Sequence, residues 1–378
     1  MGSREDETIP VDWCTFPPVG HAIEGLQVAG AYAASDESLA VSLLLNSRTA
    51  IDLIACCPWL ASLHTVDLDV LGDRFPGDAF DGIPPVWDWL HIGGYRNKES
   101  LDQFPQIGRF AAAADAHFQP RRVGTPPQRL TEWSLRLALP PEAQAAAAEI
   151  VGTSPGPVLA ILPSGGGERA QYPSSGSWQI MIGELRRTFP DATIVLLGKS
   201  GGHRPSGLVG GELRALLDES GAVNGYDLPL LTQLSIVEQS GFLLSPHSGF
   251  GFAALAVGTP WLTLSGGAYF EYFHNGTPFW SLLPDTTRFP AFGNQRQVAD
   301  DDGSGPRDAA MTRARIKETL PELPIAATSL LEGRRTYEES LQAYFPALLK
   351  ALGGDPSRLG SWDQVHERIL GLSCPTST

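Results

Sequence analysis

The segment Gly241–Gly267 constrains the fold most strongly, because it reads as strand, small polar turn, small-residue helix and strand. The apolar run FLLS ends in the turn PHSG, the helix FGFAALAVG follows, and the run PWLTLSG closes the unit. Two strands joined through a helix run parallel, so the segment predicts a parallel α/β sheet. The first backbone N–H groups of the helix, at Ser248, Gly249 and Phe250, would favour an anion. Alternatively, the glycines only let helix and strand pack closely.

Strands and helices alternate along most of the chain. LAVSLLLN (39–46) and LHTVDLD (63–69) predict buried strands, and residues 26–34 and TAIDLIACCPWL predict helices. VLAILPS (158–164), the helix SGSWQIMIGELRRTF and TIVLLGKS (193–200) begin a second series. Gly, Ser and Pro interrupt the pattern near residues 152–157. A chain of 378 residues exceeds one typical core, so we predict two α/β domains, 1–152 and 153–350, and a C-terminal helix within 351–378 that packs toward the first domain.

Charge and composition exclude several classes of function. The formal charge of −15 disfavours a nucleic-acid groove and docking on anionic lipid by charge alone. The start MGSREDETIP lacks the basic and apolar parts of an export signal, so we expect a cytoplasmic protein. The apolar stretches are short and broken by Pro or Gly, which predicts no membrane span. The 4 cysteines show no CxxC pair and no His at ligand spacing, so we expect neither a metal site nor a disulfide framework.

Two glycine-containing loops follow predicted strands in the second half. The first, LPSGGGERAQYP, permits close backbone approach at Ser164, Gly165 and Gly166 and supplies a cation at Arg169. The second, GKSGG, presents Lys199 directly after an apolar strand. Ligands of open parallel sheets bind at the carboxyl ends of the strands. Both loops are therefore candidate parts of a ligand site.

The third loop is the PHSGFG turn, in which His247 precedes the backbone N–H groups of Ser248, Gly249 and Phe250. Each loop alone is commonplace, but their coincidence in one sheet favours a shared site. Backbone donors and nearby cations would together neutralise a nucleotide diphosphate. The sequence contains neither a GxxxxGK[ST] P-loop nor a GxGxxG fingerprint, which disfavours an ATPase or a simple dehydrogenase.

In this order of motifs the chain resembles the bacterial heptosyltransferase-like glycosyltransferases, whose GT-B fold pairs two Rossmann-like domains with parallel sheets around a cleft. VGHAIEGLQVAGAYAA resembles the opening glycine-acid loop and helix of that family. LAILPSGGGERAQYPSSGSW resembles the start of its donor domain, and FLLSPHSGFGFAALAVGTPWLTLSGG resembles its donor-binding aspartate-threonine-glycine motif. The resemblance implies that the first domain binds an acceptor and the second a nucleotide sugar.

The chain departs from the family's pattern at the positions that carry chemistry. His21 stands where the family has the acid proposed as base, and imidazole can take that proton. Glu24, one turn on, would orient His21 or serve as the base itself. His247 replaces the donor aspartate, Phe252 replaces a histidine, and Arg169 is the cation nearest to the family's phosphate lysine. These changes argue against heptose as the donor sugar.

The resulting prediction is an inverting, metal-independent glycosyltransferase. His21 would deprotonate a hydroxyl of a small-molecule or glycan acceptor, and Arg169, Lys199 and the helix start would stabilise the leaving diphosphate. We expect no cofactor, since the nucleotide sugar is a co-substrate. Two alternatives stay open: a nucleotide-sugar epimerase or hydrolase of the same architecture, and a non-catalytic nucleotide- or glycan-binding protein. Sugar release without an acceptor would favour the former, and an unchanged cellular role after His21→Ala the latter.

Overall fold

The computed structural model describes residues 7–69, 78–93, 104–130, 133–166, 172–201, 206, 208, 210–264, 276–282 and 313–351. Contacts divide the chain into two units, Met1–Ala138 and Leu139–Thr378. The helix at 141–151 therefore belongs to the second unit, whereas the sequence-based division at residue 152 had placed it in the first. Within the described ranges, no helix is both long and apolar enough to cross a lipid bilayer.

The first unit is built on a parallel sheet. Its elements are β1 (Glu7–Asp12), α1 (Val19–Ala33), β2 (Leu39–Asn46), a 3-10 helix (Ile51–Cys56), β3 (Ser62–Val66), β4 (Val86–Trp87), β5 (His91–Ile92), α2 (Pro105–His117) and β6 (Gln119–Pro120). The main sheet has the order β3-β2-β1-β5, with every pairing parallel, and β4 pairs separately with β6. Strand β2 is buried along almost its whole length, as expected of an apolar strand covered on both faces.

Helix α1 begins earlier than the sequence indicated. It starts at Val19 rather than Leu26, directly after Pro18, whose fixed φ of −59° suits a helix entry. His21 and Glu24 therefore lie in the first turns of a helix instead of a loop. The helix predicted around residues 49–60 is a short 3-10 helix, Ile51–Cys56.

The second unit contains a larger parallel sheet. Its elements are α3 (Pro141–Val151), β7 (Val158–Ile161), α4 (Ser175–Thr188), β8 (Thr193–Gly198), α5 (Gly210–Ser220), β9 (Val223–Tyr226), α6 (Leu230–Glu238), β10 (Phe242–Pro246), α7 (Gly249–Ala256), β11 (Trp261–Leu264), β12 (Phe279–Leu282), α8 (Arg313–Thr319), α9 (Leu323–Leu331) and α10 (Tyr337–Ala351). The strand order is β12-β11-β10-β7-β8-β9, and every pairing is parallel. The predicted strand, helix and strand at 241–267 appear as β10, α7 and β11, which confirms the predicted parallel α/β unit.

Several short elements escaped prediction. Strand β9 has the sequence VNGY, whose Asn and Gly are typical of a turn, and β12 and helix α9 were also missed. Residues 352–378, which hold most of the segment of the predicted C-terminal helix, lie outside the described residues.

Helix α7 packs directly on its neighbouring strand. Apart from Gly249, its residues are all buried, so this short helix has apolar surroundings on every side. A Cβ atom on Gly251 would lie 2.1 Å from Cζ2 of Trp261. The indole N–H of Trp261 in turn donates to Oγ of Ser245 at 2.8 Å. The missing side chain of Gly251 thus sets how closely α7 approaches the sheet.

Candidate functional site

Both groups of candidate residues lie where the strand order of a sheet reverses. In the first unit the chain runs outward from β1 to β2 and β3, and β5 then pairs with the other side of β1. In the second unit it runs from β7 to β8 and β9, and β10 returns to the other side of β7. Ligands of open parallel sheets bind at such a reversal, beyond the carboxyl ends of the strands. His21 follows β1, and the loops at 164–166 and 247–250 follow β7 and β10.

His21 and Glu24 form a hydrogen-bonded pair at the start of α1. Nδ1 of His21 lies 3.1 Å from Oε2 of Glu24, three residues later on the same helix face. The imidazole is 23% exposed and the carboxylate only 7%. The same Oε2 accepts a hydrogen bond from Nε1 of Trp13 at 3.1 Å. With Nδ1 donating to a carboxylate, Nε2 is the ring nitrogen that can take a proton.

Aromatic rings flank the imidazole on one side. The ring centroid of Phe16 lies 5.3 Å from that of His21, and Phe104 meets Phe16 edge-on at 5.6 Å. Both phenylalanines are partly buried against the core of the first unit. The predicted base therefore borders an apolar surface at the carboxyl end of the sheet.

A second histidine of the first unit, His91, has a structural role. His91 begins β5, and its Nδ1 lies 2.9 Å from the hydroxyl of Tyr32 on α1. Burial lowers the pKa of His91 to about 4, with the charge of Arg129 adding to this and that of Asp12 opposing it. Burial also raises the pKa of Tyr32. Both side chains are therefore neutral near pH 7, so neither adds charge at the place where the strand order of the sheet reverses.

In the second unit, two of the three predicted loops meet. A Cβ atom on Gly165 would lie 3.2 Å from Cβ of Ser248 and 2.9 Å from the hydroxyl oxygen of Tyr172. The loop after β7 thus approaches the turn after β10, across the two strands that flank the reversal. Glycine at position 165 is what permits this approach, since a side chain would have to displace one of these neighbours.

Ser248 is the residue that precedes α7, in extended conformation with φ −158° and ψ 154°. It is only 8% exposed, and its hydroxyl has no hydrogen-bond partner among the residues that the structure describes. Gly249 and Phe250 come before the first N–H that the helix itself bonds, from Gly251 to the carbonyl of Ser248 at 3.0 Å. The start of α7 therefore combines helix N–H groups with a buried hydroxyl that lacks a partner within the described ranges.

Ser164 has a structural task in this arrangement. Its hydroxyl is fully buried and accepts a hydrogen bond from the backbone N–H of Leu208 at 3.0 Å. The backbone N–H of Lys199 donates to Oγ of Ser206 at 2.9 Å, and the backbone N–H of Ser206 donates to the carbonyl of Lys199 at 2.7 Å. These contacts tie the segment after β8 to the end of β7. Lys199 itself is exposed, one strand beyond β7 and about 10 Å from β10 across the sheet.

Sequence reasoning missed Asp227, which follows β9 and lies beside the Lys199 loop. Its φ is +62°, a conformation that Asp tolerates better than most residues. The carboxylate accepts hydrogen bonds from Oγ and N of Ser200, the latter at 2.7 Å. These bonds hold the pKa of Asp227 below its usual range, and the charge of Lys199 lowers it further. The sequence signal was weak, because one Asp after a Gly-containing strand is common in turns.

His247 contacts aromatic rings. Its ring centroid is 5.4 Å from that of Phe252 and 6.0 Å from that of Trp261. Phe252, which stands where the resembled family has a histidine, thus contacts the histidine that stands where that family has an aspartate. Gly166 is exposed in the loop after β7, and Arg169 lies outside the described residues.

Among the described residues, the remaining metal-ligating side chains form no cluster. Cys14, Cys56 and Cys57 are buried thiols, and burial raises the pKa of Cys57 to about 12. Over the part of the chain that the structure describes, no group of three or more His, Cys, Asp and Glu side chains could hold a metal ion.

Solved structures with the same fold cover nearly the whole chain. A family 9 glycosyl transferase from Veillonella parvula matches 87% of this chain and 99% of its own, with 9% identity and a TM-score of 0.55. The ADP-heptose lipopolysaccharide heptosyltransferase II of E. coli matches 84% and 98%, with 12% identity and a TM-score of 0.51. The E. coli heptosyltransferase WaaC with ADP matches 85% and 99%, with 11% identity and a TM-score of 0.50. The chain has the GT-B fold.

The GT-B assignment confirms the predicted fold class, and at these identities the likeness concerns the fold. No protein-family model matches the sequence, and no curated protein matches it. In this GT-B chain, His21 and Glu24 belong to the N-terminal unit, and the loops at 164–166, 199 and 247–250 belong to the C-terminal unit.

Proposed function

We propose that this GT-B protein is an inverting, metal-independent glycosyltransferase that moves a sugar from a nucleotide-diphosphate donor to a hydroxyl of a small-molecule or glycan acceptor. The observation that carries the proposal is the buried Ser248 hydroxyl, which has no partner in the described ranges and lies beside Gly165 at the reversal of the strand order. The proposal is also supported by a structure of the same fold, that of the E. coli heptosyltransferase WaaC with ADP.

The donor half of the proposal rests on the start of α7. A buried hydroxyl left without a partner costs about 1 to 3 kcal/mol, and a diphosphate oxygen at Ser248 would recover that cost. The N–H groups of Gly249 and Phe250 point along the helix axis toward the same place, where the helix dipole favours negative charge. Lys199 would add a positive charge from the next loop, and Arg169 a second one. Gly165 lets the loop after β7 lie close to Ser248 because it has no side chain.

The acceptor half rests on the His21 and Glu24 pair. Glu24 accepts from Nδ1 of His21, so Nε2 takes the proton of the acceptor hydroxyl. The acceptor oxygen then forms a bond to the anomeric carbon, and the bond from that carbon to the diphosphate oxygen breaks. The diphosphate leaves with the electron pair, and attack from the face opposite to it inverts the anomeric configuration. The imidazolium formed on His21 is stabilised by the buried carboxylate of Glu24.

Metal independence is part of the proposal because the protein itself would supply positive potential at the leaving group. Backbone N–H groups, Lys199 and Arg169 would stabilise the diphosphate charge as it develops. The nucleotide sugar is the co-substrate, and the proposal requires no cofactor.

Calorimetric titration with ADP, UDP, GDP and TDP tests the donor half directly. We expect one nucleoside diphosphate to bind with a dissociation constant in the micromolar range, in EDTA as well as with Mg²⁺. Binding to none of them would refute the proposal. Incubation with the sugar nucleotide of the preferred base would then separate the alternatives, since sugar release at full rate without an acceptor indicates a hydrolase.

A further inference from the structure

We infer that Trp13 is a positioning residue for the proposed base: its indole N–H holds Oε2 of Glu24 as an acceptor and thereby keeps the proton of the neutral His21 ring on Nδ1. The inference rests on the proposed function, in which Nε2 of His21 takes the acceptor proton. It concerns Trp13, a residue with no expected contact to either substrate.

The fold fixes the position of the Trp13 ring. Its backbone N–H donates to the carbonyl of Leu44 at 3.0 Å, which continues the pairing of β1 with β2. A Cβ atom on Gly25 would lie 2.9 Å from Cβ of Trp13, and one on Gly93 would lie 2.4 Å from Cε3 of its ring. The ring of His91 stacks on the indole at 6.4 Å and 14°. The two glycines and the histidine thus enclose the indole, which is 7% exposed.

The chemistry of the shared oxygen explains the effect. Nε1 of Trp13 and Nδ1 of His21 both lie 3.1 Å from Oε2 of Glu24. An indole N–H can only donate, so Oε2 must accept on that side. Donation from the indole N–H favours the ionised carboxylate, which has no proton to donate to Nδ1 of His21. Glu24 therefore stays an acceptor toward His21, which requires the proton on Nδ1.

Loss of the indole N–H would relax this restriction. The Glu24 carboxyl could then rotate, or bind a proton and donate it to Nδ1 of His21. Either change allows the imidazole proton to move to Nε2, and a ring in that tautomer cannot take a proton from the acceptor at Nε2. A histidine base in the wrong tautomer loses most of its catalytic effect.

Trp13→Phe tests the inference because it keeps an aromatic ring and removes the N–H. The direct readout is two-bond ¹H–¹⁵N NMR of the imidazole of His21, assigned through His21→Gln. We expect the Nδ1–H tautomer to predominate in the wild type and the Nε2–H tautomer to gain in the variant. Trp87→Phe is the matched control, since it removes another buried indole N–H, bonded to the carbonyl of Pro84 at 2.7 Å. An unchanged tautomer in Trp13→Phe would overturn the inference.

A second variant controls for a change in the packing of the ring at position 13. Replacing Trp13 by benzothienylalanine substitutes sulfur for the N–H at nearly constant shape, so its effect on the tautomer must match that of Trp13→Phe. In turnover assays we expect kcat to fall about 10-fold with an unchanged KM for the donor, and the alkaline plateau of the pH profile to drop. If no transfer is found in any variant, the proposed function fails while the NMR result still decides the role of Trp13.

Discussion

The starts of α1 and α7 follow strands at the reversal of each sheet, yet they present different chemistry. At α1, the polar groups are side chains: His21 and Glu24 share a hydrogen bond, and Trp13 donates another to the same carboxylate. At α7, the polar groups are backbone N–H groups, one serine hydroxyl without a partner among the described residues, and the imidazole of His247, which packs against Phe252 and Trp261. The first arrangement suits proton transfer and the second suits an anion.

This difference predicts how each place responds to substitution. A side-chain network fails when one member is removed. A backbone site instead fails when a side chain is added where none fits, as at Gly251. Substitutions in α1 should therefore alter turnover, and substitutions in α7 should alter stability and ligand affinity.

The largest expected effect is on turnover in the first unit. His21→Ala removes the proposed base, so we expect the transfer rate to fall by about 10² to 10⁴-fold with an unchanged affinity for the nucleoside diphosphate. His64→Ala is the control, a histidine on β3 that contacts Ser62 and Trp87. Steady-state kinetics and calorimetry measure the two quantities. Equal losses of rate and nucleotide affinity would show that His21 does not act as a separate base.

Gly251→Ala should produce the next largest effect, on the second unit. The added methyl group would lie 2.1 Å from Cζ2 of Trp261, so the helix or the indole must shift, at a cost of about 3 kcal/mol in the free energy of unfolding. Chemical denaturation measures this cost. Gly183→Ala on α4 is the control, because its methyl group has no atom within 4 Å in the described structure and alanine favours helix, by about 1 kcal/mol. Equal stabilities for both variants would contradict the packing described for α7.

His91 should make the stability of the first unit depend on pH. Its pKa of about 4 in the folded protein lies below the ordinary 6.5, so the unfolded chain binds the proton first as the pH falls. The contribution of His91 to the free energy of unfolding is therefore fully present above about pH 6.5. It decreases toward pH 4, by at most about 3 kcal/mol. His91→Gln should flatten the curve of unfolding free energy against pH between these values. Parallel curves for both proteins would show that His91 titrates normally.

The smallest effect is expected at Ser248, where two measurements should move in opposite directions. Ser248→Ala removes a buried hydroxyl with no partner in the described ranges, so stability should rise by about 0.5 to 1 kcal/mol. Affinity for the nucleoside diphosphate should fall about 5-fold, because the variant lacks the hydroxyl that is proposed to bond a diphosphate oxygen. Ser240→Ala, which breaks a 2.7 Å bond to the carbonyl of Ile236, should instead lower stability and leave affinity unchanged. A loss of stability in Ser248→Ala would mean that Ser248 serves the fold.

Much of the fold follows from local sequence. Continuous apolar runs predicted β2, β7, β8, β10 and β11, because strands buried on both faces need no polar alternation. The strand order could not be predicted in this way, since it depends on pairings between distant segments such as β7 and β10. The reversal that locates both candidate sites therefore appeared only in the structure.

The candidate site was predictable where a motif carried it. The glycine loops and the turn before α7 were found because small residues after apolar strands are visible in one dimension. Trp13 was missed because its contact to Glu24 depends on the packing of β1 against α1. The hydrogen bond from the backbone N–H of Leu208 to the hydroxyl of Ser164 was missed for a similar reason, since Leu208 lies far along the chain.

The reversed strand order also has a consequence for synthesis on the ribosome. Strand β7 lies in the middle of its sheet and is made before all of its neighbours, while β10, which covers its second edge, begins only at Phe242. At about 5 to 20 residues per second, the segment between Ile161 and Phe242 takes roughly 4 to 16 s to emerge. During that interval the nascent chain exposes an apolar VLAI edge with β8 on one side only. We therefore expect chaperone demand in this protein to peak while residues 162–241 are being translated.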